Sequence, residues 1–415
     1  ASTGQMRFCR RQSIITVASL LVISMVGCRS TPAESTDTAE STIYLSPMPV
    51  VAQPSPVTPN SAEFPMKCIG GLVVVQADDE GGPWNFLIDT GSSATLVSPE
   101  FAIRRRSRQS NPTVPTVWLR DATGQAVPVD SVLLAKVDFG RAHFRNVRAL
   151  VFDCRVVSDH LGIKIDGVLG FNLFADARLT LDYPGQRIVM SELENEQPLR
   201  GCVLNFTIQN GVPLIETTMG NEPLLALIDS GSDGSLSLDP AGLALNFEAP
   251  PREGTLIGTL HGNHRQILGR IADTLHISDY QIETPVVDLS GNLTSIGGEI
   301  LQNFEVTFDQ SNRQVAFYRP GDDFVITSPP KMSAGVSFTK VRAYWRITAI
   351  APNSPASRAG FSIGDLVIRL NGEPVDAWEL TRYQALIDAG GTIEYTFIQG
   401  RDEVTIDADT FALVP

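Results

Sequence analysis

The chain has 415 residues and a formal net charge of −14. That excess of carboxylates excludes the basic footprint of a nucleic-acid-binding protein. Beyond Cys28 only Cys68, Cys154 and Cys202 remain, so at most one disulfide is available there and no disulfide framework holds the fold.

Arg7, Arg10 and Arg11 precede an apolar stretch from Ile14 to Val26, and Met25-Val26-Gly27-Cys28 closes it. The stretch is short for a membrane-spanning helix and suits a signal peptide. The order resembles a bacterial lipoprotein signal, with Met25 an imperfect first position of the lipobox. That resemblance implies a signal over 1–28, lipidation of Cys28 and anchoring of the mature chain to a membrane of the cell envelope. With Arg29 after the cysteine, it implies the periplasmic face of the outer membrane if the source is Gram-negative. An apolar signal with a chance cysteine is the alternative. Residues 29–65 are rich in Ser, Thr and Pro, cannot bury a core, and read as a disordered tether.

Two β-hairpins are predicted over 72–88 and 214–228, and each ends on nearly the same phrase. Residues 86–93 read Phe-Leu-Ile-Asp-Thr-Gly-Ser-Ser, and residues 226–233 read Ala-Leu-Ile-Asp-Ser-Gly-Ser-Asp. A single Asp-Thr-Gly is ordinarily a turn, since all three residue types form turns. Two copies with matching flanks point to a duplicated unit that brings Asp89 and Asp229 together. A second pair of segments, VLGFNLFADARLTLD (168–182) and SIGGEILQNFEVTFD (295–309), aligns Gly170 with Gly297, Thr180 with Thr307 and Asp182 with Asp309 without a gap. The two glycines stand closer together in sequence than the two aspartates, so the first half is the longer one between these motifs. Two copies on this scale imply a bilobal molecule with pseudo-twofold symmetry.

Between the motifs lie two further predicted hairpins, 117–129 around Thr123-Gly124 and 255–268 around Gly262-Asn263, at equivalent places after Asp89 and Asp229. His261 and His264 sit at the second of these turns without a third ligand, and no metal or cofactor is assigned. No G-x-S-x-G, H-E-x-x-H or G-x-G-x-x-G occurs.

The paired Asp-(Thr/Ser)-Gly-Ser segments, each followed by an apolar-apolar-Gly segment, resemble the aspartic peptidases of the pepsin and retropepsin type. The resemblance covers residues 66–320, with lobes over 66–200 and 201–320. These are shorter than pepsin lobes and closer to a fused retropepsin pair. It implies a mainly β fold of two β-barrel lobes, a catalytic dyad of Asp89 and Asp229, and a flap carrying Thr123 and Gly124. Pepsin-like flaps hold a tyrosine that 117–129 lacks; Trp118 either substitutes for it or belongs to the core, and the core is preferred. The resemblance also gives Thr90 and Ser230 a bracing role across the lobe junction. It places Ser92 and Ser232 on the outer carboxylate oxygens, which would favour activity at acidic pH. Gly91 and Gly231 let backbone approach the dyad without a Cβ. Two carboxylates about 4 Å apart repel by about 4 kcal/mol at an effective dielectric of 20, so they share one proton over a wide pH range. Such a pair can activate water against a peptide bond.

After a linker over 321–332, residues 345–375 read WRITAIAPNSPASRAGFSIGDLVIRLNGEPV, which resembles a PDZ domain of the bacterial envelope type. Ser354 and Pro355 can start a short helix that Gly360 closes, Asn371-Gly372 suits a tight hairpin turn, and 376–389 has helical spacing. The domain is expected over 333–415. PDZ domains bind peptides by strand addition. The glycine signature of the carboxylate loop is sought at Lys340 to Ile347 and is absent there, which leaves peptide reading and plain docking both open. The combined reading is a lipid-anchored, monomeric aspartic endopeptidase with peptide or protein substrates and a peptide-binding PDZ domain. Its rival is a non-catalytic envelope protein that uses both folds as binding surfaces.

Overall fold

The structure, a computed structural model, describes residues 24–26, 61–78, 81–107, 117–120, 126–193, 197–259, 262–291 and 293–415. Cys28, most of the expected tether and the flap residues Thr123 and Gly124 lie outside the described residues. Ahead of Ser61, Ser24–Val26 forms a short strand against Trp118 to Arg120.

The molecule is mainly β, built as two similar halves and a third, smaller unit. Each half opens with the same three strands. In the first, Ser61–Ile69 turns at Gly70-Gly71 into Leu72–Ala77, which pairs with Trp84–Asp89. In the second, Cys202–Gln209 turns at Asn210-Gly211 into Val212–Met219, which pairs with Glu222–Ile228. Both two-residue turns have positive φ at both positions, which matches the twist of the flanking strands. The turns repeat at the same sequence offset as the two aspartates.

Ser61–Ile69 alternates exposed Ser61, Glu63 and Pro65 with buried Ala62, Phe64 and Met66, the period of a half-buried strand. Residues 61–65, inside the span 29–65 expected to be a tether, therefore form part of a strand. Pro65 sits at an exposed position of the strand, so the Pro/Ser-rich composition conceals a pattern that the alternation carries.

A six-stranded antiparallel sheet joins the halves. Its central strands are Arg178–Asp182 and Glu305–Asp309, registered so that Thr180 faces Thr307. Arg187–Ser191 and then Ser61 to Pro65 extend it on one side; Gln314–Tyr318 and then Cys202 to Asn205 extend it on the other. The pairing of the segments aligned in the sequence, about their own common residue, is what an approximate twofold axis requires. Across this junction Phe171 stands 5.3 Å from Phe308 and 5.9 Å from Phe206, ring centre to ring centre and edge-on. Edge-on aromatic contacts of this kind add about 0.5–1.5 kcal/mol beyond burial. Both helices of the first half, Pro99–Arg105 and Arg155–Leu161, fall in the stretch where it is longer than the second. Among the described residues the second half has no helix there.

The third unit contains the strands Val336–Val341, Tyr344–Ile350, Leu366–Leu370, Thr392–Gln399 and Asp402–Asp409, with the helices Pro355–Arg358 and Leu380–Ala389. The Ser354 hydroxyl accepts the Ser357 amide and caps the short helix. Asn371-Gly372 makes the tight turn between Leu370 and Glu373 with φ of 48° and 76°. Phe338, Trp345, Phe361, Tyr383, Tyr395 and Phe397 form this unit's core.

The segment expected as a linker is structured. Val325–Thr327 adds a parallel strand to Tyr280–Glu283 of the second half, and Lys331–Ser333 pairs with Phe411–Val414. Leu413 and Val414 are buried with Leu268 and Val286 of the second half. These pairings join residues far apart in the chain, which a local reading of composition cannot register.

Candidate active site

Trp84–Asp89 is an apolar strand buried on both faces. Glu222–Ile228 is its counterpart, and Asp229 follows it directly. Each is flanked in parallel by a strand from the second repeat motif. Gly167–Gly170 sets Gly170 opposite Asp89, and Ser295–Ile296 lies beside Leu227 and Ile228. A Cβ at Gly170 would meet the Ala94 carbonyl, and one at Gly297 the Gly234 carbonyl, so each of these glycines admits the turn that follows an aspartate.

The two Asp-(Thr/Ser)-Gly turns interlock. The Thr90 hydroxyl donates to the Ile228 carbonyl at 2.7 Å and accepts the Ser230 amide at 3.0 Å. The Ser230 hydroxyl donates to the Ile88 carbonyl at 2.8 Å and accepts the Thr90 amide at 3.0 Å. All four bonds are buried and cross between the halves. The Gly91 amide donates to Asp89 Oδ1 at 2.8 Å, and the Gly231 amide donates to Asp229 Oδ1 at 2.9 Å. Each glycine also faces the other half's carboxyl. A Cβ on Gly91 would lie 2.5 Å from Asp229 Oδ1, and one on Gly231 would press still closer on Asp89. The sequence-predicted Asp89, Thr90, Gly91, Asp229, Ser230 and Gly231 thus converge on one junction.

Asp89 and Asp229 are 1% and 0% exposed. Burial raises Asp89 well above the ordinary carboxyl range, and the neighbouring Asp229 raises it further. The Gly91 and Ser92 amides act in the opposite direction. Burial also raises Asp229, against the Gly231 amide and its contact with Asp89. Contact between the carboxyls raises one and lowers the other, as a proton shared by the pair does. The remaining oxygen of each, Oδ2, is buried and accepts no hydrogen bond from the described residues.

That last fact corrects the expectation for Ser92 and Ser232. Neither hydroxyl reaches Oδ2 of its aspartate. Ser92 Oγ donates instead to the Ala94 carbonyl at 2.7 Å, and Ser232 Oγ accepts the Gly234 amide at 3.4 Å. A short hydroxyl two residues from a backbone group bonds it locally and stiffens the turn. Trp118 departs from its preferred place as well. It is 40% exposed on the strand Val117–Arg120, so it is not a core aromatic.

The third unit touches both halves. Leu380 packs on a first-half cluster that includes Leu119, Val129, Val157 and Leu161. The strand Val336–Val341 lies beside the helix Arg155–Leu161 and beside the strand Arg252–Thr259 of the second-half hairpin. Arg270, 7% exposed, donates to the carbonyls of Thr284 at 2.7 Å, Ser328 at 3.0 Å and Pro329 at 2.9 Å, and also to that of Pro415. Val336–Val341 pairs only with Tyr344–Ile350 among the described residues, and its Phe338 ring stands 6.0 Å from that of Tyr383 on the helix Leu380–Ala389. The residue before this strand is Gly335, at φ +75° between Ala334 and Val336. The apolar-Gly-apolar pattern therefore stands at 334–336, ahead of the strand, and not at Lys340 to Ile347, which spans the end of the strand, a two-residue turn and the start of Tyr344–Ile350.

Two family models match parts of the chain. A family model described as aspartyl protease matches residues 75–173, and one described as PDZ domain matches residues 346–397. The chain thus carries an aspartyl-protease domain and a PDZ domain. No curated protein matches it. Among solved structures, basic 7S globulin from soybean is 12% identical over 62% of this chain and 96% of that one, with a TM-score of 0.38. The HtrA3 PDZ domain bound to a phage-derived ligand is 20% identical over 20% of this chain and 86% of that one, with a TM-score of 0.17.

Proposed function

We propose that this chain is an aspartic endopeptidase in which Asp89 and Asp229 together activate water. The observation that carries the reading is the interlocked, buried pair of carboxyls with raised proton affinity, each aligned by its own turn and by the opposite half. Such a pair holds one proton between two groups, which is the state the reaction uses.

The ionised carboxylate takes a proton from a water held between the two Oδ2 atoms. The protonated carboxyl donates to the oxygen of the scissile carbonyl. The water oxygen bonds the carbonyl carbon, giving a tetrahedral diol. Its collapse breaks the C–N bond: the departing nitrogen takes a proton from the dyad while one diol hydroxyl gives its proton back to the dyad, which so returns to its single-proton state. Burial strengthens both proton transfers, because a low-dielectric site leaves little competing solvation.

In this reading the PDZ domain takes an extended peptide along Val336–Val341, beside the helix Leu380–Ala389. Cys28 carries the lipid and residues between it and Ser61 form the tether, so the enzyme works at the surface of the cell envelope. Cleavage of a mixed peptide library, with and without a statine-type transition-state inhibitor, tests the activity. Fractionation of the Cys28→Ala variant tests the anchor: the unaltered chain is expected with membranes and the variant without them.

A further inference from the structure

A short helix holds the turn that follows each aspartate. In the first half the Phe171 amide donates to the Ser92 carbonyl at 2.8 Å, and the Phe171 ring stands against Phe206 and Phe308. In the second half the Gly297, Gly298 and Glu299 amides donate to the carbonyls of Ser235, Ser232 and Gly234 at 2.9, 2.7 and 3.0 Å. The ungapped alignment of the repeat puts Gly298 in the place of Phe171. A Cβ there would press on the Gly71 carbonyl in the first half's hairpin turn, so no ring can anchor the helix from this position. The next residue, Glu299, is bonded instead to the Lys331 ammonium. Lys331 belongs to neither half. It lies on the short strand Lys331–Ser333, which pairs with Phe411–Val414 and runs beside the helix Leu380–Ala389. Successive strand residues point to opposite faces. Met332 packs on the PDZ core while Lys331 reaches Glu299.

We infer that Lys331 is a positioning residue for the dyad: through Glu299, the C-terminal unit fastens the turn that aligns Asp229. The inference rests on the endopeptidase reading for the chemistry of Asp229. The Glu299–Lys331 pair supplies the fastening that the Phe171 ring supplies in the first half. Three carboxylates act on the ammonium: Glu299 on the short helix, Asp233 on the catalytic turn and Asp388 on the helix Leu380–Ala389. Burial lowers the proton affinity of Lys331, but these carboxylates outweigh it, so the side chain stays a cation through neutral pH. Asp233 in turn adds to the effect of burial in raising the proton affinity of Asp229, and the ammonium offsets that carboxylate. Without the ammonium, Glu299 and Asp233 repel one another, the turn loosens, and Asp229 keeps its proton to higher pH. Both side chains of the pair are partly exposed, at 35% and 32%, so salt weakens the tie.

The test uses the full chain at low salt and one peptide that the unaltered protein cleaves. Lys331→Met keeps the stem and removes the charge. Its kcat should fall by about threefold to tenfold with KM little changed, a part of the hundredfold that a displacement of about 1 Å costs. The alkaline limb of its pH–rate profile should move up by roughly 0.3 pH unit or more, the scale of one screened charge nearby, and by less at high salt. A merely structural loss moves neither the limb nor its salt dependence. Lys331→Arg should restore both. Amide hydrogen exchange at Gly297, Gly298 and Glu299 reads the fastening without turnover. It should run about two- to fivefold faster in Lys331→Met, the scale of a partly exposed ion pair, and at the original rate in Lys331→Arg. Faster exchange in Lys331→Met, in a protein of which no form cleaves any peptide, would sink the endopeptidase reading and leave the fastening standing. An unchanged kcat and an unmoved limb in folded Lys331→Met protein, made from an active chain, would overturn the inference.

Discussion

Thr90 and Ser230 trade hydrogen bonds across the centre of the molecule, each hydroxyl accepting the other's amide at 3.0 Å while donating to a carbonyl of the opposite strand. The exchange locks the two halves in the one arrangement that brings Asp89 against Gly231 and Asp229 against Gly91. Removing either hydroxyl strands a buried amide and a buried carbonyl. Each such loss costs about 1–3 kcal/mol, so Thr90→Val and Ser230→Ala should each lower stability by about 2–6 kcal/mol. Denaturant unfolding monitored on both variants checks this; a loss below about 0.5 kcal/mol, the scale of an ordinary surface substitution, would mean the exchange does not hold the halves.

Gly91→Ala inserts a methyl group 2.5 Å from Asp229 Oδ1. The carboxyls must part, and a displacement of about 1 Å at reacting groups costs about a hundredfold in rate. Gly91→Ala should therefore fold yet lose at least about 10²-fold in kcat. Circular dichroism and peptide cleavage on the same preparation decide the matter.

The dyad also sets a pH dependence whose sign is opposite to that of a paired surface carboxylate. Both pKa values are raised in the folded state, so the native protein binds more protons than the unfolded one between the ordinary carboxyl range and the raised values. The stabilisation is complete below the unfolded pKa, about 4, and is lost as pH rises through the folded values. Asp229→Asn should thus melt above the unaltered protein at alkaline pH, with the gap narrowing as the pH falls toward the ordinary carboxyl range. A gap that widens on acidification would contradict the assignment.

The same burial carries the single-proton state upward, so activity should extend toward neutral pH. Because Ser92 bonds Ala94 and not the carboxylate, Ser92→Ala should leave the limbs of the pH–rate profile in place.

A chain ending at Arg319 loses Val325–Thr327 from the second half, uncovers Leu268 and Val286, and removes three of the four carbonyls that hold the Arg270 guanidinium. An almost buried cation left short of acceptors is costly, and so is the exposed apolar surface. That chain should be less stable than the full chain by several kcal/mol, and its melting temperature should fall by about 10 °C or more on the usual scale for domains of this size. A truncated protein that melts with the full chain would show that the C-terminal unit is merely appended.

The duplication was legible because it is written twice. The offset that pairs Asp89 with Asp229 also pairs the turn Gly70-Gly71 with Asn210-Gly211, and the ungapped alignment of Thr180 with Thr307 is the register of the central sheet. Local chemistry was legible too, as at Ser354 and Asn371-Gly372. The partner chosen by a short hydroxyl was not. Ser92 has a carbonyl two residues away and a carboxylate nearby, and the sequence is the same whichever it bonds. Docking was invisible for a related reason: Leu413 meets Leu268, and Arg270 meets the Pro415 carbonyl, across about a third of the chain with no local period to announce them. Gly335 stands before the strand Val336–Val341, whereas the expected place of the loop, after that strand, is a turn without glycine.

In the endopeptidase proposed above, two carboxyls from two halves of one chain form a single catalytic pair. The most direct measurement is peptide cleavage by Asp89→Asn and by Asp229→Asn, each purified as folded protein and compared with the unaltered chain at the same pH. Each substitution alone should remove activity, by about 10³-fold or more, because an amide neither shares the proton nor takes one from water. Cleavage that survives in either single variant, and remains sensitive to a statine inhibitor, would contradict it.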